Sequence, residues 1–384
     1  MKTKNTTKEI IDTRNKVSCV ELENILRTQI ESILKDPSLV SKLPPILIHG
    51  SPGLGKSSIV KSMAEELNIG FVDVRLAQME PCDIKGLPVP NNEKKIMQWY
   101  INGTWPNDPN SKGIIFLDEI KSCDRSIQVA SYELILDRKL GDLYKIPPGW
   151  IVVAAGNNAG DRAVATTMSS ALANRFMHLE LDVSTEDWVI WAQQHGIHPS
   201  VIGFINYRNM YLFHMDGENL ERGWPSPRSW ERVSHILDLY KDLSPDDVVL
   251  RKLIYGLVGN CAGVEFMEFH KINAQFDNIL EYMLNPDKKI TIPTKEDEKY
   301  AMVSSLIYLL WKGKDEEDQN KRIDGFYRIT MELPPDFASM AMMSAIAGDN
   351  KNMKEQYTKA LFYHPKNKEW SKKFGNAIKR RMDI

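Results

Sequence analysis

The residues Gly50-Ser51-Pro52-Gly53-Leu54-Gly55-Lys56-Ser57 match the pattern GxxxxGK[ST], a spacing suited to holding a chain of phosphates. Glycines let the backbone wrap tightly enough for its N–H groups to converge on phosphate oxygens. A helix that starts directly after the loop adds the positive end of its dipole. In such a loop Lys56 meets the β- and γ-phosphates and the Ser57 hydroxyl binds Mg2+. The pattern stands between the apolar run Ile46–His49 and the helix-forming stretch Ser57–Asn68, which is the context that phosphate binding requires.

A second run, Ile114-Ile115-Phe116-Leu117-Asp118-Glu119, ends four apolar residues on two carboxylates. A buried strand of this kind delivers both acids to its C-terminal end, where ligands bind in open α/β sheets. Asp118 would hold Mg2+ through its water shell, and Glu119 would polarise the attacking water as general base. Three further residues read two ways. Asn157 follows Ile151–Ala155 and Gly156, placed to orient that water or touch the γ-phosphate, yet Asn after Gly is equally an ordinary turn residue. Arg175, just before the run Met177–Leu181, is a solvated charge at a helix end or, in a ring of subunits, a charge reaching the neighbour's γ-phosphate. Arg228 begins a helix in Pro227-Arg228-Ser229-Trp230, where positive charge opposes the dipole; this hints at another task but suits a solvated side chain as well.

These residues need a scaffold. Ile46–His49, Gly70–Val74, Ile114–Leu117, Ile151–Ala155 and Met177–Leu181 are short apolar runs separated by helix-length segments, which predicts a parallel sheet covered on both faces. Val20, Leu22, Ile25, Leu26, Ile30, Ile33 and Leu34 recur at helical spacing before the first run. After Ser184, which can cap a helix beginning TEDW, only helical patterns follow, over Ser229–Asp242, Leu250–Val258, Val264–Met283 and Tyr300–Trp311. The charged stretch Lys312–Asp324 reads as an exposed connection, with PPDF at 334–337 opening another helix. The expected organisation is a flexible leader (1–16), an α/β nucleotide-binding core with five parallel strands (17–208), a helical lid (209–311) and a C-terminal helical extension (325–384).

Composition narrows the class. Of 384 residues 42% are hydrophobic, ample for two or three structural units. Lys plus Arg number 49 against 51 acids, a balance that argues against a general role on nucleic acid or a membrane surface. Cys19, Cys82, Cys123 and Cys261 lie far apart without CxxC, as expected of reduced thiols in a cytoplasmic protein. No window approaches the ~20 apolar residues of a membrane span. HExxH, zinc spacing and GxSxG are absent from the sequence, and Asn320-Lys321-Arg322-Ile323 lacks the Asp of a guanine-recognising NKxD, so ATP is preferred over GTP.

With these motifs in place the chain resembles the MoxR family of AAA+ ATPases, in the group with a helix-2 insert. The resemblance extends to Met79-Glu80-Pro81-Cys82-Asp83-Ile84-Lys85-Gly86-Leu87-Pro88, to Ala155-Gly156-Asn157 followed by Asp161-Arg162-Ala163-Val164, to Ala171-Leu172-Ala173-Asn174-Arg175-Phe176 and to Ser226-Pro227-Arg228-Ser229-Trp230. It covers residues 45–235 strongly and those to about 347 more loosely. The resemblance implies Asn157 as sensor 1, Arg175 as arginine finger with Arg162 a second candidate, and Arg228 as sensor 2. It implies a homo-oligomeric ring, commonly a hexamer, with each ATP between two subunits. Gly86–Trp105 resembles the insert, its runs GLPVP and KKIMQWY flanking a turn at Asn91-Asn92-Glu93, and Arg138–Trp150 resembles a second pore-side hairpin. Trp99, Tyr100 and Tyr144 would either grip a partner or pack these hairpins. Family members act as ATP-driven, chaperone-like remodellers of a protein client, alongside a partner with a von Willebrand A domain. That domain's DxSxS is not in this sequence, so the partner would be a separate protein. The alternative is a motor acting on nucleic acid. Lys94 and Lys95 beside Glu93 give residues 86–105 too little charge for a phosphate-tracking groove.

Overall fold

The computed structural model describes residues 15–158, 168–215, 222–276 and 278–381. The chain divides into a unit ending at Val183 and a unit beginning at Ser184. No helix among the described residues is long and apolar enough to cross a membrane.

Apolar runs can be buried on both faces only where helices cover both sides of the sheet, and the first unit is built this way. Among the described residues its strands are β1 (Lys16–Val17), β2 (Ile46–His49), β3 (Gly70–Arg75), β4 (Leu87–Asn91), β5 (Ile96–Tyr100), β6 (Lys112–Asp118), β7 (Lys139–Leu140), β8 (Tyr144–Lys145), β9 (Gly149–Gly156) and β10 (Met177–Leu181). Six form one parallel sheet in the order β1-β10-β2-β9-β6-β3. The five apolar runs all lie in it. The sixth strand, β1, falls at the end of the segment expected to be a leader: Lys16 pairs with Glu180 and Val17 with Leu181. The rest of that expected leader, 1–14, lies outside the described residues. The helix Cys19–Lys35 follows directly, started by a reciprocal cap in which Ser18 Oγ accepts from Glu21 N–H and Glu21 Oε2 from Ser18 N–H. Leu47, Ile115, Leu117, Val152 and Ala154 form the buried centre with Ile127 and Leu134 of the helix Arg125–Leu136.

Two hairpins project from this sheet's connections. β4 pairs antiparallel with β5 and β7 with β8, at both places where a hairpin was expected. Tyr144 is a packing residue: it is buried, lies 6.5 Å from the Trp105 ring and donates its hydroxyl proton to the Pro106 carbonyl at 2.9 Å. Trp99 and Tyr100 are exposed.

From Ser184 onward the described residues form helices and no strand. Ser184 caps Thr185–Gln194 by accepting from Asp187 N–H. This helix and Pro199–Tyr207 belong to the second unit, although the sequence pattern had grouped them with the core; Pro199–Tyr207 packs on Glu296–Leu310 and Asn260–Ala274. Two sequence expectations need correction here. The pattern over Val264–Met283 is not one helix but two, Asn260–Ala274 and Ile279–Leu284. Tight turns separate them, with Phe276 N–H on the Asn273 carbonyl and Ile279 N–H on the Phe276 carbonyl. Lys312–Asp324 is also not simply a connection, because Glu316–Met331 is a helix. Asp315 caps it, three acids occupy its first turn where the dipole favours them, and buried Arg322 pairs with Asp318 at 3.0 Å.

Candidate active site

Strand register brings the chemistry together. His49 at the end of β2 pairs with Gly156 at the end of β9, and Leu117 of β6 pairs with Ala154. The segments that leave these three neighbouring strands carry the loop 50–57, Asp118-Glu119 and Asn157. All three leave from the C-terminal edge.

The loop bends through Gly53 and Gly55, whose φ angles are 86° and 87°. A Cβ at Gly55 would meet nothing within 4 Å, so the left-handed backbone rather than space requires glycine there. The helix Lys56–Glu66 starts at once. Lys56 is only 8% exposed; its Nζ donates to the carbonyls of Gly50 (2.6 Å) and Ser51 (3.0 Å) and to Asn157 Oδ1 (3.3 Å). Asn157 is thus brought into direct contact with the loop lysine.

Asp118 accepts from Glu119 N–H at 2.9 Å. Burial pushes its carboxyl above the ordinary range, against the opposing pull of that N–H and of the Lys56 ammonium. Asp73 and Arg75 at the end of β3 also act on it, Arg75 being paired with Asp118 in the ladder. Neither residue stands out in the sequence, because only the β3–β6 pairing makes them neighbours. Glu119 has φ 59°, a left-handed backbone that costs a non-glycine residue about 1–3 kcal/mol. It is held by Ile120 N–H on the Ala155 carbonyl (3.1 Å) and Ser122 N–H on the Glu119 carbonyl (2.8 Å).

A Mg2+–nucleotide fits this donor set. Among the described residues no group of three His, Cys, Asp or Glu could cage a metal by itself. Ser57 and Asp118 offer the one or two protein oxygens that Mg2+ takes when phosphates and water complete its shell. A cation there would also favour the charged form of the buried Asp118.

Two further sequence candidates are exposed side chains at or beside helix ends. Arg175 is exposed, with Nη1 donating to the Ala171 carbonyl at 3.3 Å. Arg228 is exposed in the first turn of Pro227–Leu239, in the second unit, where Ser226 and Ser229 supply the cap. Arg162 lies outside the described residues. A cavity of about 180 Å3 within the second unit, lined by residues including Gln193, Ile202, Ser304 and Met340, contains none of the loop residues.

Residues 46–180 match the family model described as ATPase family associated with various cellular activities (AAA). The denitrification regulatory protein NirQ of Stutzerimonas stutzeri is 26% identical over 145 residues, which is 36% of this chain and 51% of NirQ. The chain therefore spans about half the length of that curated relative. Two solved structures also align, at scores too low to carry any argument. One, a candidate ATPase from Cytophaga hutchinsonii, has a TM-score of 0.31 at 14% identity over 76% of this chain and 82% of its own. The other, NtrX of Brucella abortus, has a TM-score of 0.35 at 13% identity over 92% of this chain and 67% of its own. The family match covers the sheet strands from β2 to β10 together with the loop, the paired acids and Asn157, so residues 46–180 form an AAA ATPase domain.

Proposed function

We propose that the domain hydrolyses ATP with Mg2+ and uses the energy to remodel, activate or assemble a protein partner. The observation that carries the catalytic half is the meeting of Lys56, Asn157, Asp118 and Glu119 at one edge of three adjacent strands. The loop N–H groups, Lys56 and Ser57 bind and orient the phosphates. Ser57 and Asp118 would hold Mg2+, which would supply neutralising charge for the phosphates. Glu119 takes a proton from the attacking water, with Asn157 fixing that water's position. Arg175 acts on the ATP of the next subunit in a ring, a hexamer by family resemblance, and Arg228 is sensor 2 by the same resemblance.

The partner half is supported by the MoxR-like motifs and by the likeness to NirQ, a denitrification regulatory protein. The reading is of a cytoplasmic ring whose client is a protein, with a separate von Willebrand A domain protein as companion. Glu119→Gln tests both halves. Turnover should fall at least ~100-fold while ATP still binds. Immobilised in ATP, the variant should retain its client; recovery of nucleic acid in place of protein would favour the alternative motor. Near-normal kcat would place the base elsewhere.

A further inference from the structure

His49 ends β2 and directly precedes Gly50, whose carbonyl receives the Lys56 ammonium. On the adjacent parallel strand β10, Glu180 is His49's register partner, so His178, two residues earlier, shares its face of the sheet. The two imidazoles stack with centroids 5.1 Å apart and planes 11° from parallel. His49 Nε2 and His178 Nδ1 are 2.8 Å apart, and His178 Nε2 lies 2.7 Å from the Ala173 carbonyl. The direction of these bonds follows from chemistry. A carbonyl only accepts, so His178 Nε2 carries a proton; in the neutral ring Nδ1 then accepts, and His49 Nε2 donates.

The Ala173 carbonyl is a particular point in the fold. It also accepts from Phe176 N–H at 3.2 Å, and Arg175 N–H donates to the Leu172 carbonyl at 3.1 Å. These bonds close the turn that displays Arg175. The front of the same short helix, Ser170–Ala173, is capped by Ser169 Oγ, which lies 2.5 Å from the Tyr132 hydroxyl. Arg175 is thus held from behind by a chain of two hydrogen bonds running back to the residue that precedes the phosphate loop.

We infer that His49 and His178 are positioning residues, a link through which the phosphate loop sets the Arg175 turn for the neighbouring subunit's reaction. Phosphate binding draws Lys56 Nζ from the Gly50 and Ser51 carbonyls toward the ligand. That shift moves Gly50, and His49 with it, and His178 passes the displacement to Ala173. The inference rests on the trans role proposed for Arg175.

The test uses full-length protein, ATP turnover and ATP titration. His178 is exposed, so His178→Ala leaves the core intact; His178→Asn, too short to span both partners, serves if that variant does not fold. Expected is a fall in kcat of roughly 10- to 100-fold, the scale for a misplaced but present group, with ATP affinity unchanged. His178→Gln, which can accept at Oε1 and donate at Nε2, should recover most of the rate. Mixing His178→Ala with Glu119→Gln subunits should give more turnover than the mean of the two alone, because some interfaces then pair an intact Glu119 with a correctly held Arg175. Subunit exchange is verified with labelled protein. Exchange without that gain would place the effect in the subunit's own site and overturn the link. A wild-type rate for His178→Ala beside an inactive Arg175→Ala would overturn the link alone. A wild-type rate for Arg175→Ala would remove the trans reading and the link with it.

Discussion

Lys56 combines two demands in one side chain: an ammonium 8% exposed to solvent, and hydrogen bonds to the carbonyls of its own loop. Those bonds keep the loop wrapped before a phosphate arrives. Lys56→Ala should therefore abolish ATP binding and also lower stability by about 1–2 kcal/mol, since two carbonyls lose a charged donor. Isothermal titration together with denaturant unfolding separates the two effects, and wild-type affinity would show that the lysine does not meet phosphate. Glu119 shows a related economy. Its left-handed φ is kept only because the turn at Ile120 and Ser122 is tied to β9 and to its own carbonyl, and strain of this sort gathers where a side chain must be aimed.

At the scale of elements, the loop between β2 and the helix Lys56–Glu66 is the clearest case of backbone shape serving chemistry. Gly55→Ala meets no steric obstacle, so its cost is the left-handed conformation alone, about 1–2 kcal/mol. The expected result is a lowered melting temperature with weakened ATP binding; unchanged values in both would mean that the loop does not need that φ. The helices were legible where an apolar repeat of helical spacing runs through them, as from Val20 to Leu34, or where a cap such as Ser184 precedes one. Glu316–Met331 was hidden because its first turn is acidic and its buried Arg322 looks like a surface charge in one dimension. The break after Ala274 was hidden because apolar residues such as Phe266, Met267, Ile279 and Met283 are buried on both sides of it.

Across the described residues, burial lowers the proton affinity of four histidines, His49, His198, His270 and His364, and the first three are shifted far. His49 in the sheet unit and His270 in the helical unit are pushed down to about 4, and His198 to about 3, the last two with rings 5.8 Å apart. Unfolding exposes them to water, where imidazole binds a proton near pH 6.5. Below that pH the unfolded chain holds more protons than the folded one, so stability is full above pH 6.5 and falls progressively toward about pH 4. For His198 and His270 together the loss between pH 6.5 and 5 should be on the order of 2–3 kcal/mol. Denaturant unfolding at the two pH values measures it, and His270→Asn should flatten the slope. A slope unaffected by that change would show that other groups set the acid sensitivity. His270 Nδ1 meets Ser200 Oγ, which donates to Asn273 Oδ1, so the variant also needs a stability comparison at neutral pH.

Sequence alone specified what is contiguous. A phosphate loop is eight residues whose glycines, lysine and serine fix their own geometry, and a strand ending in two acids carries its direction and burial within six residues. These need only local sterics and the period of the chain, so the five strands of the core and the loop were readable together with Asp118 and Glu119. Tertiary structure decided what depends on strand order. The contact of Lys56 with Asn157 spans 101 residues and that of His49 with His178 spans 129. Both exist because β2 lies between β10 and β9. The same holds for Asp73 and Arg75 beside Asp118, which share a site only through the β3–β6 ladder. Spacing along the chain carries no record of which parallel strand becomes the neighbour, since each crossover helix leaves the choice of side and distance to packing.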